Sequence, residues 1–206
     1  IDLSIVPDSR WDEKTHGTAE MFLIMFPPPT PLLELQPLPL SALHNKEFKS
    51  IYSSTIQTFN KIQTQVFQAL YTSDENVFIG APTGSGKTIC TEFALLHLWS
   101  KHEQPRAVCI EPYQEMVDQH VAECRRKFSG KEIWDILFRR WRQCKNVQNI
   151  GLLIADEIQL VGGEVGPTYE VVISRTRYIA AETKVKTRIV ACGVSLAFLS
   201  GLFSTD

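Results

Sequence analysis

The octet "APTGSGKT", Ala81 to Thr88, lies between an apolar run, "NVFIG" (76–80), and a run with helical periodicity, "ICTEFALLHLW" (89–99). A glycine-rich turn that leaves a strand and opens a helix is the arrangement a phosphate-binding loop requires. Gly84 and Gly86 let backbone amides converge on phosphate oxygens with no Cβ in the way, and the helix that follows turns its first N–H groups on the anion. In this pattern Lys87 reaches the terminal phosphates, Thr88 ligates magnesium, and Ala81, Pro82, Thr83 and Ser85 complete the loop. Ala81 stands where the stricter form of the motif has its first glycine. A chance Gly/Ser turn shares the composition but not the flanking strand and helix.

Downstream, "GLLIADEIQLVGGEVGP" (151–167) is an apolar strand that ends in two acids. In a parallel sheet that places Asp156 and Glu157 at the carboxyl edge, beside the phosphate loop. Asp156 is suited to hold magnesium and Glu157 to orient or deprotonate an attacking water, although such a pair in isolation is often a solvated turn. Between and beyond these motifs, apolar runs alternate with helical periods. Strands are expected at 76–80, "RAVCI" (106–110), "GLLIA" (151–155) and "RIVAC" (188–192), and helices over 87–100, 112–128, 133–141 and 168–181. The fold class that follows is α/β, a parallel sheet with helices on both faces.

The rest of the chain bounds this reading. It has 206 residues, 44% hydrophobic and 21% charged, enough for one sizeable core with an appendage. A net charge of -2 means that nucleic-acid binding would need a local basic face. The apolar run "MFLIMF" (21–26) is too short to span a bilayer, so no membrane partner is expected. The five cysteines contain no CxxC pair, which favours buried thiols in a reducing, intracellular setting. Residues 1–26 read as a strand followed by polar and apolar stretches, the remnant of a preceding domain or an N-terminal extension. Residues 27–47, rich in proline, read as an extended strap, and 48–206 as the nucleotide-binding unit.

The phosphate loop, "DEIQ" (156–159) and "FNKIQTQVF" (59–67) together resemble the first RecA-like domain of a superfamily 2 DExH-box helicase. The likeness extends through "PPPTPLLELQPLPLSAL", "WDILFRRWRQCKNVQNI" and "GGEVGPTYEVVISRTRYI", which are similar to the large spliceosomal RNA helicases of the Brr family, and to their second cassette more than the first. It covers about residues 27–196; residues 1–26 weakly resemble the last strands of an immunoglobulin-like domain closing a preceding cassette. The resemblance implies ATP with Mg2+ as cofactor, RNA and spliceosomal proteins as partners, and a nuclear location. It makes Lys87 and Glu157 the catalytic residues and Thr88 and Asp156 the metal ligands. It also makes Gln63 the glutamine that reads adenine; the plainer reading is a polar residue on an amphipathic helix. Pro112 and Gln119 match a motif facing the RNA backbone, or are a helix-start proline and a solvated glutamine. Arg139, Arg140 and Arg142 around Trp141 read first as an exposed helix end with one buried tryptophan, and second as a phosphate-contacting face.

Departures from the family pattern matter as much. Between Phe128 and Trp134 only "SGKEI" stands where the family has a further strand, helix and strand, so about 30 residues, one crossover unit, are missing. That shortening is expected to remove interior elements of the sheet unless the chain reroutes, or reflects an exon lost from the gene model. Gln159 replaces the DExH histidine, and "CGVS" (192–195) keeps only the Ser195 hydroxyl of the motif that couples hydrolysis to RNA. No second RecA-like domain with its arginine fingers follows before Asp206. The expectation is an ATP-binding domain with weak or no hydrolysis and unwinding; the alternative is a catalytically silent protein-interaction module derived from a helicase cassette.

Overall fold

A computed structural model describes residues 2–6, 31–101, 106–128, 150–163, 166–184 and 186–194. The expected helix at 133–141, the Arg139–Arg142 cluster with Trp141, Cys144 and Ser195 lie outside the described residues. Strands are β1 (Asp2–Val6), β2 (Asn76–Gly80), β3 (Arg106–Ile110), β4 (Ile150–Ala155) and β5 (Arg188–Gly193). Helices are α1 (Lys46–Tyr52), α2 (Lys61–Tyr71), α3 (Lys87–Lys101), α4 (Gln114–Lys127) and α5 (Gly166–Thr183).

The sheet runs β1-β2-β5-β4-β3. The pairings β2 with β5, β5 with β4 and β4 with β3 are parallel, with Ile79 opposite Cys192, Ile154 opposite Val190 and Cys109 opposite Ile154. These strands are direct hydrogen-bonded neighbours, so the short segment after Phe128 does not interrupt the ladder from β2 to β3. One pairing departs from the parallel pattern: β1 lies antiparallel on the outer edge of β2, from Asp2 opposite Gly80 to Val6 opposite Asn76. The amino-terminal strand is thus an edge of the sheet that carries the phosphate loop, and it covers backbone groups that β2 would otherwise expose.

Alternation along each strand feeds two cores, because successive side chains point to opposite faces. Val77 and Ile79 of β2, Leu152 and Ile154 of β4 and Val190 of β5 pack with Phe48, Phe59, Phe67 and Phe93 from the side of α1, α2 and α3. Phe78, Val108, Leu153 and Ile189 point the other way and pack with Tyr169, Val172 and Ile173 of α5. Rings meet edge-on at the centre of the first core, Phe59 on Phe93 at 5.0 Å and Phe67 on Phe93 at 5.1 Å. That face also holds a buried charge network. Glu92, with no exposed surface, accepts from the Tyr52 hydroxyl at 2.7 Å and from Lys127 Nζ at 2.8 Å, tying α1, α3 and α4 together.

Residues 31–38 have no regular secondary structure and run beside α2. Leu33 N donates to Gln65 Oε1, Gln65 Nε2 donates to the Pro31 carbonyl, and Leu38 N donates to Thr64 Oγ1. Prolines remove backbone donors and hold φ near the extended value, so such a segment gains order from side-chain partners on the helix beneath it.

Candidate nucleotide-binding site

The octet leaves β2 and enters α3 as the motif requires. Gly84 and Gly86 take φ of +77° and +87°, the left-handed region in which a Cβ is strained. At Gly86 the constraint is also steric, since a Cβ there would lie 2.5 Å from Gln63 Nε2. Ser85 N closes the loop on the Pro82 carbonyl at 3.2 Å. Lys87 is buried, and its Nζ donates to the carbonyls of Ala81 at 2.8 Å and Pro82 at 3.2 Å, which holds the ammonium over the loop. Thr83 and Thr88 are exposed at the mouth.

The loop is buttressed from α2. Asn60 caps that helix with its side chain accepting from Gln63 N, while Gln63 Oε1 accepts from Asn60 N, a reciprocal capping box. The remaining amide groups reach across, Asn60 Nδ2 to the Ser85 carbonyl at 3.0 Å and Gln63 Nε2 to the Gly86 carbonyl at 3.4 Å. Gln63 is therefore a buried residue packed beneath the phosphate loop and not a solvated one on an amphipathic face.

Asp156 and Glu157 follow β4 at the same edge. Asp156 N donates to the Ile110 carbonyl at 3.0 Å, its Oδ1 accepts from Glu157 N at 2.9 Å, and its carbonyl accepts from the Tyr169 hydroxyl at 2.6 Å. Burial, and then the charge of Glu111, push the Asp156 carboxyl up to about 6, against the pull of the Glu157 backbone N–H and the Lys87 ammonium. Glu157 has φ of +51°, a backbone turn that starts the 3-10 helix Ile158–Gly162. Its Oε2 accepts from Gln159 Nε2, and Gln159 Oε1 accepts from Val194 N at 3.2 Å. Gln159 thus links the acidic pair to the end of β5, and a Cβ at Gly193 would lie 2.5 Å from its Oε1. Pro112 precedes α4, and Gln119 is exposed on it.

Three residues that the motifs did not single out stand at this edge: Tyr169, Glu111 and His120. Glu111 directly follows β3, is buried, and accepts from or donates to His120 Nδ1 at 2.7 Å through Oε1 according to proton position. An acid at the carboxyl end of a parallel strand is the available sequence signal for it. The residues present fit a magnesium-bound nucleoside phosphate. Ser85 Oγ is buried with no hydrogen-bond partner among the described residues, inside a loop whose glycines keep its backbone open. Thr88 and Asp156 supply hard oxygen donors of the kind magnesium takes.

Among the described residues no helix is long and apolar enough to cross a membrane. The DEAD/DEAH box helicase family model matches residues 60–136. The human U5 small nuclear ribonucleoprotein 200 kDa helicase is 35% identical over 296 aligned positions, which take in 96% of this chain and 14% of the relative. Pre-mRNA-splicing factor brr2 of Schizosaccharomyces pombe is 44% identical over 202 positions, 84% of this chain and 9% of the relative. Both alignments are longer than the stretch of this chain they cover, so the relatives carry residues here that the chain lacks. The chain spans between 9% and 14% of the length of these relatives. Its fold also matches a crystal structure of the helicase MrfA bound to DNA, with a TM-score of 0.60 at 17% identity over 73% of this chain and 25% of that one. A glycine-rich loop leaving β2, an acidic pair two strands over at the end of β4 and this set of relatives converge: the chain is a RecA-like DEAD/DEAH-box helicase domain, homologous over most of its length to the spliceosomal Brr2 helicases.

Proposed function

We propose that this domain binds ATP or ADP with Mg2+ between the phosphate loop and the acidic pair. The observation that carries this reading is the buried Lys87 ammonium over a loop whose Gly84 and Gly86 hold positive φ, within electrostatic reach of Asp156. Loop amides at 84–88 would cradle the phosphates, Lys87 would neutralise the terminal ones, and Thr88 with Asp156 would hold the metal. Glu157 would orient water, with its carboxylate positioned by Gln159. Magnesium supplies charge neutralisation on the phosphates when bound. Gln63, under the loop, would sense the nucleotide through the Gly86 backbone as well as through any contact with the base.

With Lys87 as the cation at the loop and "CGVS" in place of a two-hydroxyl coupling motif, hydrolysis by the isolated chain would be weak and unwinding absent. RNA and spliceosomal proteins in the nucleus are the partners this reading takes from the domain's relatives. Calorimetry tests it: magnesium-ATP should give binding heat with the native chain and none with Lys87→Ala, and RNA should leave phosphate release near the enzyme-free rate. Identical traces for the two proteins would remove nucleotide binding.

A silent interaction module is the second reading. It is favoured by the exposed Leu32, Leu33 and Leu35 on the segment beside α2. It stands if neither protein binds nucleotide while both bind a spliceosomal partner equally.

A further inference from the structure

Behind the nucleotide edge, β3 and α4 bring together a set of side chains that nucleotide binding does not use. Cys109 lies in β3 and Glu111 just beyond its end, two residues on and therefore on the same face of the chain. His120 and Cys124 lie one helical turn apart on α4, also on one face. One ligand atom from each of Cys109, Glu111 and His120 lies within 4.8 Å of the other two. Cys109 Sγ is 3.7 Å from Glu111 Oε1, and His120 Nδ1 is 2.7 Å from the same oxygen. The Cys109 and Cys124 thiols also stand near enough to the His120 ring to act on its charge. All but the rim of the cluster is closed to solvent: Cys109 and Cys124 are wholly buried, the Glu111 side chain is 3% exposed and that of His120 12%.

A second observation points the same way. Glu111 Oε2 is buried with no hydrogen-bond partner among the described residues. A buried carboxylate oxygen left without a donor costs several kcal/mol unless a cation meets it. The neighbours it has are a thiol and an imidazole, which together with a carboxylate form the donor set of a borderline-soft divalent ion, close enough that small side-chain shifts bring all three onto one centre.

We propose that Cys109, Glu111 and His120 form a three-residue transition-metal site of the Zn2+ class, its fourth position left to water. On binding, the Cys109 thiol releases its proton to solvent and becomes a thiolate, and His120 ligates as the neutral imidazole, giving up to solvent any proton on the ligating nitrogen, so the three donors bring net negative charge to meet the dication. The ion fastens α4 to the end of β3, directly behind the Ile110 carbonyl that receives Asp156 N. It is separate from any magnesium at Thr88 and Asp156, whose oxygen donors select a harder ion.

The test uses the full chain. Produced in zinc-supplemented medium and freed of loose metal by chelator and gel filtration, it should retain stoichiometric zinc by mass spectrometry. Produced with cobalt, it should show thiolate-to-cobalt charge transfer and intense tetrahedral d–d bands. Cys109→Ser should abolish the charge-transfer band and Cys124→Ser should leave it, while Glu111→Gln should lower cobalt affinity by at least about tenfold with the thiolate band persisting. If a variant fails to fold, cobalt titration of the native chain with thiol-proton release followed by a pH indicator decides the matter. Absence of retained metal and of any thiolate band in the native chain overturns the site, as does a band indifferent to Cys109→Ser. Magnesium at the nucleotide site gives no thiolate band, so failure here leaves nucleotide binding a separate question.

Discussion

At the amino-terminal edge of the sheet the polar groups are matched to one another, whereas at the carboxyl-terminal edge several point at nothing within the described chain. Arg188, the first residue of β5, donates to the carbonyls of Glu75 at 2.8 Å, Leu70 at 3.0 Å and Ala69 at 2.7 Å, so a buried guanidinium closes the end of α2. Beside it Ile189 N donates to Asn76 Oδ1 at 2.7 Å, and Thr187 Oγ1 donates to the Ile150 carbonyl at 2.7 Å. Burial, partly offset by the charges of Asp74 and Glu75, lowers the Arg188 pKa to about 10, and it remains charged at neutral pH. At the other edge Ser85 Oγ and Glu111 Oε2 are buried without partners among the described residues, and Asp156 sits near the like charges of Glu111 and Glu157 as well as the Lys87 ammonium. One edge is matched internally and serves stability; the other holds polar capacity of the kind the proposed nucleotide and metal would complete. Sites commonly give up stability in this way, and the surrounding fold compensates.

The largest expected effect lies at the ligand edge. Lys87→Ala should weaken magnesium-nucleotide binding by about a thousandfold, on the order of 4 kcal/mol, with little change in melting temperature. A large fall in melting temperature instead would mean that this edge is structural as well. Next comes the internally matched edge. Arg188→Ala leaves three carbonyls without their donor, so chemical denaturation should register a loss of about 3 kcal/mol while nucleotide affinity below the transition stays unchanged.

A pH titration sharpens the contrast further. The folded-state pKa of Asp156 is raised to about 6 from an ordinary 3.8, so its contribution to folding is present below the ordinary value and lost as pH rises through 6. Magnesium binding needs the ionised form and runs the opposite way. Between pH 7 and pH 5 magnesium-dependent nucleotide affinity should fall by about tenfold, with no such fall in metal-free binding. A pH-independent profile would mean that Asp156 does not hold the ion. The smallest effect belongs to Gln159, which is matched internally although it lies at the ligand edge. Gln159→Ala should cost about 1 kcal/mol by denaturation and reduce nucleotide affinity less than about twofold.

Much of the frame was legible in advance. The runs at 76–80, 106–110 and 188–192 form strands with ends within a residue of those expected, because their apolar, β-branched stretches are bounded by polar or turn residues. The run at 151–155 begins one residue earlier, at Ile150, and the helix expected from 112 begins at Gln114, since Pro112 and Tyr113 remain outside it. The phosphate loop was legible because its requirement is local: positive φ at Gly84 and Gly86 and a helix start just after them. The antiparallel seat of β1, by contrast, has no local signal. Its alternating residues suit either direction of pairing.

The same division separates the site residues. Lys87, Thr88, Asp156 and Glu157 could be named from short motifs, whose chemistry is written in consecutive residues. His120 and Tyr169 could not, nor could the docking of Asn60 and Gln63 under the loop, because each acts through a partner on another element, and Glu111 offered only its place at a strand end. By itself, then, the sequence determined the alternation of strands and helices and the two motifs, since periodicity and glycine placement are properties of neighbouring residues. Only the tertiary structure decided which edges those motifs share and what closes the opposite end. Placing β5 between β2 and β4 brings Arg188 onto a helix 118 residues away and Gln159 onto Val194, and strand order is set by packing of the whole sheet rather than by any segment of it.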